Sequence, residues 1–358
     1  MNNMTQTFIE KSISDVFLKT LNQRVQTLLI QQGHSRFGNT RMFLKIGIYF
    51  TTTICLYTLM LMSETVIEFY VFYILMALSS MLTAMNVGHD AAHRAIFKQK
   101  TWNDTLFWLS FQLMGSSSYL WKRNHVTLHH HAPNVELSDP DIPQTPLVRF
   151  IYWQKWRWFH QYQHIYIVVL YAIYTMVYFF ISEQILLLGF DKSQPSVPKN
   201  EVFKAFLSKI LFIVLFWGVP FYLKTADWEH LTYAFLSMQI LFSLILTLFL
   251  GVSHLSDKIE YFSKNNKENI SWVALQLRTA ADYDVEKRWA YWFLGGFNAH
   301  ALHHLLPSVC HIHYRQIVPI FRKTVAEFGF HYVEVSYFDL LKSHFRYLKK
   351  MGQKDGHN

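Results

Sequence analysis

Residues 66–93 read "VIEFYVFYILMALSSMLTAMNVGHDAAH", an apolar run that carries one formal charge, Glu68, before it ends in two histidines. A helix crosses the hydrocarbon core of a bilayer with about 20 mostly apolar residues, so 66–87 predicts a membrane-spanning helix. His89 and His93 are four residues apart and therefore share one face of a helix as it leaves the membrane. The stretch thus joins a membrane-spanning run to a histidine pair at its end.

Working outward, residues 43–62 form a second apolar run, joined to the first by the short "MSET", and the two predict a helical hairpin. Downstream, Ile165 to Phe190, 206–223 and 231–252 are also apolar enough to insert. If the histidines near 89–131 and those near 254–304 share one site, the chain crosses the membrane an even number of times between them. Ile165 to Phe190 follows the basic aromatic segment "VRFIYWQKWRWFHQYQH" and contains Glu183, so it is assigned as an interfacial or buried helix. The expected fold is an all-α integral membrane protein with four transmembrane helices (43–62, 66–87, 206–223, 231–252), interfacial helices and a cytosolic helical cap. It is expected to be a single domain over 1–358, with 1–42, 88–205 and 253–358 cytosolic or interfacial. "DKSQPSVPKNE", with two prolines, is the linker into the third span.

Composition agrees. Aromatic residues make up 17% of the 358 and charged residues only 16%, against roughly 25% charged in a soluble domain. The net charge of +9 raises nucleic acid as a partner, but the basic residues are interleaved with Trp and Tyr beside apolar segments, which fits positive-inside loops and a headgroup-facing surface better. The loops "MSET" and "KTADWEH" hold a single basic residue, Lys224, so both termini are expected in the cytoplasm. Cys55 and Cys310 have no paired spacing and make no disulfide framework. Lys11, Lys19, Arg24 and Arg36 stand where a signal peptide would need an apolar core, so no cleaved signal is expected.

Nine of the nineteen histidines form a pattern. "HDAAH" gives His89 and His93; "HVTLHH" repeats the spacing with His125 and His129 and adds His130; "HALHH" gives His300, His303 and His304. His254 follows the last apolar run in "GVSHLSD". Any one pair is commonplace on a solvated helix face, and a lone histidine is more often a hydrogen-bonded structural residue. Three clusters just beyond apolar segments on one side have little structural reason to exist, because adjacent imidazoles repel when protonated and are costly when dry. A metal removes that difficulty. Imidazole suits Zn, Cu, Fe and Ni, and a single tetrahedral zinc takes at most four ligands, so eight or nine histidines imply two metals. Two irons with open positions can use O2 to attack an unactivated C–H bond.

"NVGHDAAH", "GSSSYLWKRNHVTLHH" with "SDPDI", and "LGGFNAHALHHLLPSVCHIHY" together resemble the membrane fatty-acid desaturases, and within them the bacterial linoleoyl-CoA-desaturase-like and front-end branch. The resemblance runs from about Asn86 to Tyr314. It implies a cytosolic cap with a non-haem di-iron centre, an acyl chain held against it, and the nine histidines above as ligands. Asn298, in "GGFN", is implied as a metal-linked partner, with a helix-start asparagine as its ordinary alternative. It also implies a bacterial inner membrane, with the active site on the cytoplasmic side.

This chain departs from the branch in places. His300 stands where the branch often has glutamine, His131 extends the second box to "HHH", the acidic residue usual after the lone histidine is missing, and Leu275 stands where relatives tend to carry histidine. His131 reads as supporting the ligands, facing substrate, or packed. Asp90 and Asp141 (with Asp139) are candidates to orient ligand histidines, against exposed-helix and turn readings. Trp121 and Arg123 are candidate substrate contacts, against membrane anchors. His311 and His313 fall outside the third-box spacing and read as structural or surface residues.

The expected activity is O2-dependent desaturation of an acyl-CoA, acyl-carrier-protein or lipid-bound acyl chain. Hydroxylase, epoxygenase or acetylenase outcomes on the same scaffold are the near alternative. A histidine-rich metal transporter is the distant one, disfavoured because transport ligands usually lie at the bilayer midplane. No "HPGG"-type cytochrome b5 segment and no flavin or nicotinamide fingerprint is found, so electrons are expected from a ferredoxin or a separate cytochrome b5.

Overall fold

The computed structural model describes residues 3–142, 145–191, 194–223, 225–264 and 270–354. Its contacts divide the chain into two compact units. One comprises Met1–Asn39, Arg123–Val168 and Thr247–Asn358; the other comprises Thr40–Lys122 and Val169–Leu246.

The second unit is the apolar one. Helix α1 (Asn3–Gln31) belongs to the first unit, and the apolar unit starts with α2 (Thr40–Leu61) and α3 (Val66–Ala92). Thr65 starts α3 with a capping box: its Oγ1 accepts the Glu68 N–H and the Glu68 carboxylate accepts the Thr65 N–H, each at about 3 Å. Thr53 and Ser79 share a hydrogen bond of 2.7 Å between α2 and α3, replacing the water that a lipid environment withholds. Helices α4 (Lys100–Gln112) and α5 (Ser118–Lys122) follow, then three long helices, α6 (Trp158–Leu187), α7 (Lys199–Tyr222) and α8 (Trp228–Ser253).

Five helices, α2, α3, α6, α7 and α8, are long and apolar enough to cross a membrane, matching the five apolar segments of the sequence, of which four were expected to cross. The added one is α6, which contains Ile165 to Leu187 of the segment assigned as interfacial or buried. That assignment rested on the parity of crossings, on the preceding basic aromatic segment and on Glu183, which is buried and paired with Lys209 of α7. Only 17% of the most apolar stretch of α6 is buried, with Ile165, Val169, Phe180 and Ile181 exposed, as a lipid-facing surface requires. The expected spans also lengthen, because each helix continues past the apolar core; α7 already starts at Lys199 within the expected linker, of which Lys192 and Ser193 lie outside the described residues.

The first unit packs small helices around a buried core. Phe17, Leu21, Val25 and Leu29, one face of α1 at a spacing of four, join a cluster with Val273 and Leu277 of α9 (Trp272–Thr279), Leu302 and Leu305 of α11 (His300–Leu305) and Phe321 of α12 (Tyr314–Glu327). The short α10 (Arg288–Phe293) precedes α11. Two short parallel strands, β1 (Ala281–Tyr283) and β2 (Val333–Val335), pair Ala281 with Val333 and Tyr283 with Val335. The last helix, α13 (Tyr337–Met351), is N-capped by Ser336.

Candidate metal centre

π-helical turns lead into three of the four histidine segments: Ala84–Gly88 before His89, Arg123–His129 through the second box, and Leu246–Leu250 before His254. Such turns re-aim side chains and recur at functional sites. In the second box, the His130 N–H bonds to the His125 carbonyl five residues back at 3.1 Å, so His125 and His130 face each other with Nε2 atoms 3.3 Å apart. The sequence paired His125 with His129 at helical spacing and counted His130 beside them; the π turn is what turns His130 towards His125.

The third box is set by its flanks. Gly295 and Gly296 both have positive φ, and a Cβ at Gly296 would come within 2.7 Å of His311 Cβ, so glycine is required there. Asp282 of β1 accepts the Ala301 N–H at 2.6 Å and the Tyr332 hydroxyl at 2.7 Å, holding the amino end of α11. Pro307 follows and stops the helix. Residues 300, 303 and 304 are thereby aimed to one side.

His129, His254, His300 and His304 come together, all buried, each able to offer one nitrogen to a common point. Nε2 of His254 lies 3.1 Å from that of His129 and 2.6 Å from that of His300, and the His300 and His304 Nε2 atoms are 3.3 Å apart. Three of these rings are fixed from behind through Nδ1: His129 by the Asp139 carboxylate at 3.0 Å, His254 by the Thr279 carbonyl at 2.8 Å and His304 by Gln276 Oε1 at 2.7 Å. His303 is held likewise by the Tyr314 hydroxyl at 3.1 Å, and its Nε2 lies 3.1 Å from that of His130. Holding Nδ1 in this way selects the tautomer whose Nε2 lone pair is free for a metal.

Electrostatics favour neutral imidazoles at His254 and His304. Burial, reinforced by the nearby His129, pushes His254 down to about 3, and burial with four neighbouring histidines pushes His304 well below the usual range. For His129 burial acts the same way, but the Asp139 and Asp141 carboxylates outweigh it and hold the ring at about 9. The His254 and His304 rings, with little tendency to take protons, fit a cation beside them. Asn298 is fully buried, with the Tyr291 side chain as a polar neighbour.

His89 and His93 lie in the other unit at the end of α3, both buried, with ring centroids 4.9 Å apart. Trp121 packs there against Phe107, Phe111 and His89, a fixed stack rather than an open anchor. Arg123 lies near Asn124, its Nε 3.4 Å from Oδ1. Several expectations need correction. Asp139, rather than Asp141, orients His129; the Asp141 side chain is 52% exposed and its carboxylate stands at 3.4 Å. Asp90 approaches His89 Nδ1 only to 3.9 Å, too far for a hydrogen bond. His131 is exposed and unsuited to a packed role. Of the structural and surface readings of His311 and His313, burial agrees with the structural one, and His313 Nε2 bonds to the Phe37 carbonyl at 2.9 Å.

Sequence reasoning missed Gln276, Asn134 and Tyr314. Gln276 is the one amide in an otherwise apolar face of α9, and that was a readable signal. Asn134 has φ of 54° and donates from its side chain to the His254 carbonyl at 2.9 Å and the Glu260 carbonyl at 3.1 Å, tying the chain after the second box to the chain after His254. No sequence pattern announces that role.

The family model for fatty acid desaturases matches residues 66–336. The chain is 28% identical over 341 residues to the sn-1 linoleoyl-lipid 6-desaturase of Arthrospira platensis, covering 94% of this chain and 92% of that protein. It is 27% identical over 346 residues to the sn-1 linoleoyl-lipid 6-desaturase of Synechocystis sp., covering 94% and 96%. Acyl-lipid (8-3)-desaturase B of Dictyostelium discoideum is 27% identical over 372 residues, covering 96% and 77%. With a helical membrane fold, histidine clusters suited to a metal and a match over most of its length, the chain belongs to the fatty acid desaturase family, oxidoreductases acting on fatty acyl chains in membranes.

Proposed function

We propose that this chain uses two non-haem irons and O2 to introduce a double bond into an acyl chain carried on a membrane lipid. The convergence of four buried Nε2 atoms from His129, His254, His300 and His304 carries the reading, because imidazoles so close and so dry are stable around a cation and costly without one. These four are the proposed ligands of one iron. His125, His130 and His303 are proposed ligands of the other, and His89 and His93 are proposed as metal ligands on their spacing and burial. Iron is preferred to zinc because the family's chemistry is redox and zinc has none.

When bound, the irons supply the activation of O2 that makes an unactivated C–H bond reactive. The balance is one –CH2–CH2– unit, O2, two electrons and two protons giving –CH=CH– and two waters. The protein's own side chains hold the metal and exclude bulk water rather than exchanging protons with substrate. Asp139, Thr279, Gln276 and Tyr314 fix ring tautomers, and Trp121 and Arg123 are the proposed acyl-side contacts. The lipid carrier is favoured over CoA or a carrier protein by the printed names of the relatives, which act on linoleoyl-lipid and acyl-lipid. Two electrons per turnover come from a separate donor, a ferredoxin or a cytochrome b5.

His129 and His254 share a cluster although three apolar helices, α6, α7 and α8, lie between them in the chain. An even number of complete crossings satisfies this, so we assign α6 as the helix that does not pass from face to face. With the basic loops on the side of the histidines, the site and both termini are proposed to be cytoplasmic in a bacterial inner membrane.

Metal analysis and lipid profiling test the proposal together. Purified chain should hold about two irons, and cells expressing it should gain unsaturated acyl chains that a His304→Ala variant does not make. One zinc per chain, or new acyl chains from the variant, overturns the reading.

A further inference from the structure

Glu183 of α6 and Lys209 of α7 form an ion pair within two helices apolar enough to cross the membrane, with side chains 0% and 8% exposed. Charges so placed are costly and usually functional. Two well-packed apolar side chains would join the helices at least as well. What the pair touches explains its polarity. Glu183 Oε1 accepts the Ser117 N–H at 2.5 Å, while Lys209 Nζ lies 3.4 Å from the Gly115 carbonyl and 3.1 Å from the Phe179 carbonyl. The ammonium also sits 3.8 Å from the centroid of the Phe179 ring.

Gly115 and Ser117 bracket the turn between α4 and α5. Each member of the pair holds one end of it. The turn is tightly fitted: Gly115 has φ of +66°, and a Cβ there would meet the Phe212 ring at 2.7 Å. Gln112 adds a third tie, from its Nε2 to the Ser208 carbonyl of α7 at 2.7 Å. Ser117 Oγ then accepts the Leu120 N–H at 3.3 Å, starting a helical run that continues through the π turn Arg123–His129.

We propose that Glu183 and Lys209 are positioning residues for the second histidine box, acting through the 115–117 turn at the root of the helix that carries Trp121, His125 and His129. His125 is seven residues, about 10 Å, along that run, so a tilt of about 10° at the root moves it by nearly 2 Å. A ligand set tolerates displacements of about 0.5 Å. The inference rests on the metal reading of His125 and His129 for its consequence.

Two double variants separate positioning from simple packing. Glu183→Met with Lys209→Met removes both charges and the acceptor for Ser117. Glu183→Gln with Lys209→Gln removes both charges but keeps the acceptor for Ser117 and a side-chain donor for the Gly115 carbonyl. Each is expressed beside the unaltered chain and scored for monodispersity in detergent, iron per chain, and new unsaturated acyl chains per protein. The Met/Met variant should remain monodisperse while losing at least half its iron and about tenfold in conversion; the Gln/Gln variant should stay within about threefold of the unaltered chain. Full conversion by Met/Met, or equal loss in both, overturns the proposal. If Met/Met does not fold, Ser117→Pro removes the N–H and leaves the pair intact: a similar loss of conversion supports the proposal, and unchanged conversion overturns it. An unaltered chain that is active but iron-free counts against the metal reading alone, and the conversion comparison still decides this one.

Discussion

His304 Nδ1 lies 2.7 Å from Gln276 Oε1, and the same amide reaches with Nε2 to the His130 carbonyl at 3.3 Å. One buried side chain therefore fixes a third-box ring and the end of the second box together. Replacing Gln276 by Leu keeps much of the volume and removes both bonds. Loss of such a partner typically weakens metal binding by about 10–100-fold. Iron retention against a graded chelator measures this, and an unchanged curve would show that the amide is dispensable.

Asp139 and Asp141 were indistinguishable as turn carboxylates, but only Asp139 is buried against His129. Asp139→Asn should weaken iron retention by about tenfold or more, because an asparagine facing Nδ1 supports the tautomer less strongly. Asp141→Asn should change it by less than about threefold. Equal effects from the two would contradict the geometry.

Gly296 has φ of +86° and no room for a Cβ beside His311 and Tyr314. Gly296→Ala should destabilise the chain by about 1–3 kcal/mol through backbone strain. Thermal unfolding in detergent would register this, and a melting temperature equal to that of the unaltered chain would refute it.

His344 is fully buried in α13, with Nδ1 2.5 Å from the Leu255 carbonyl, and burial lowers it to about 4. The unfolded chain binds a proton at this histidine below about pH 6.5. Its contribution to stability is therefore complete above about 6.5 and is lost as the pH falls towards 4, by up to about 1.4 kcal/mol per unit. His344→Gln keeps a side-chain donor for Leu255 and removes the titration. The gap between the melting curves of variant and unaltered chain should shift in the variant's favour between pH 6.5 and 4; a constant gap would exclude the effect.

The long apolar runs and the histidine spacings were legible because each is a local property. Hydrocarbon thickness fixes the length of a spanning helix, and helical periodicity places i, i+3 and i+4 on one face. Residues 66–93 show both rules in one stretch, and the same rules located the other apolar segments and the three boxes.

Tertiary structure decided what lies far apart in the chain. Whether Glu183 forbids insertion depended on Lys209, 26 residues later, and a charge is tolerated in an apolar helix only when its partner arrives from elsewhere. Which aspartate serves His129, the face presented by His130 after its π turn, and the roles of Gln276, Asn134 and Tyr314 were settled in the same way. Composition and period determined that this is a helical membrane protein with clustered imidazoles. The packing of distant segments decided which rings converge and what holds them, because hydrogen bonds and burial depend on three-dimensional neighbours that no local pattern specifies.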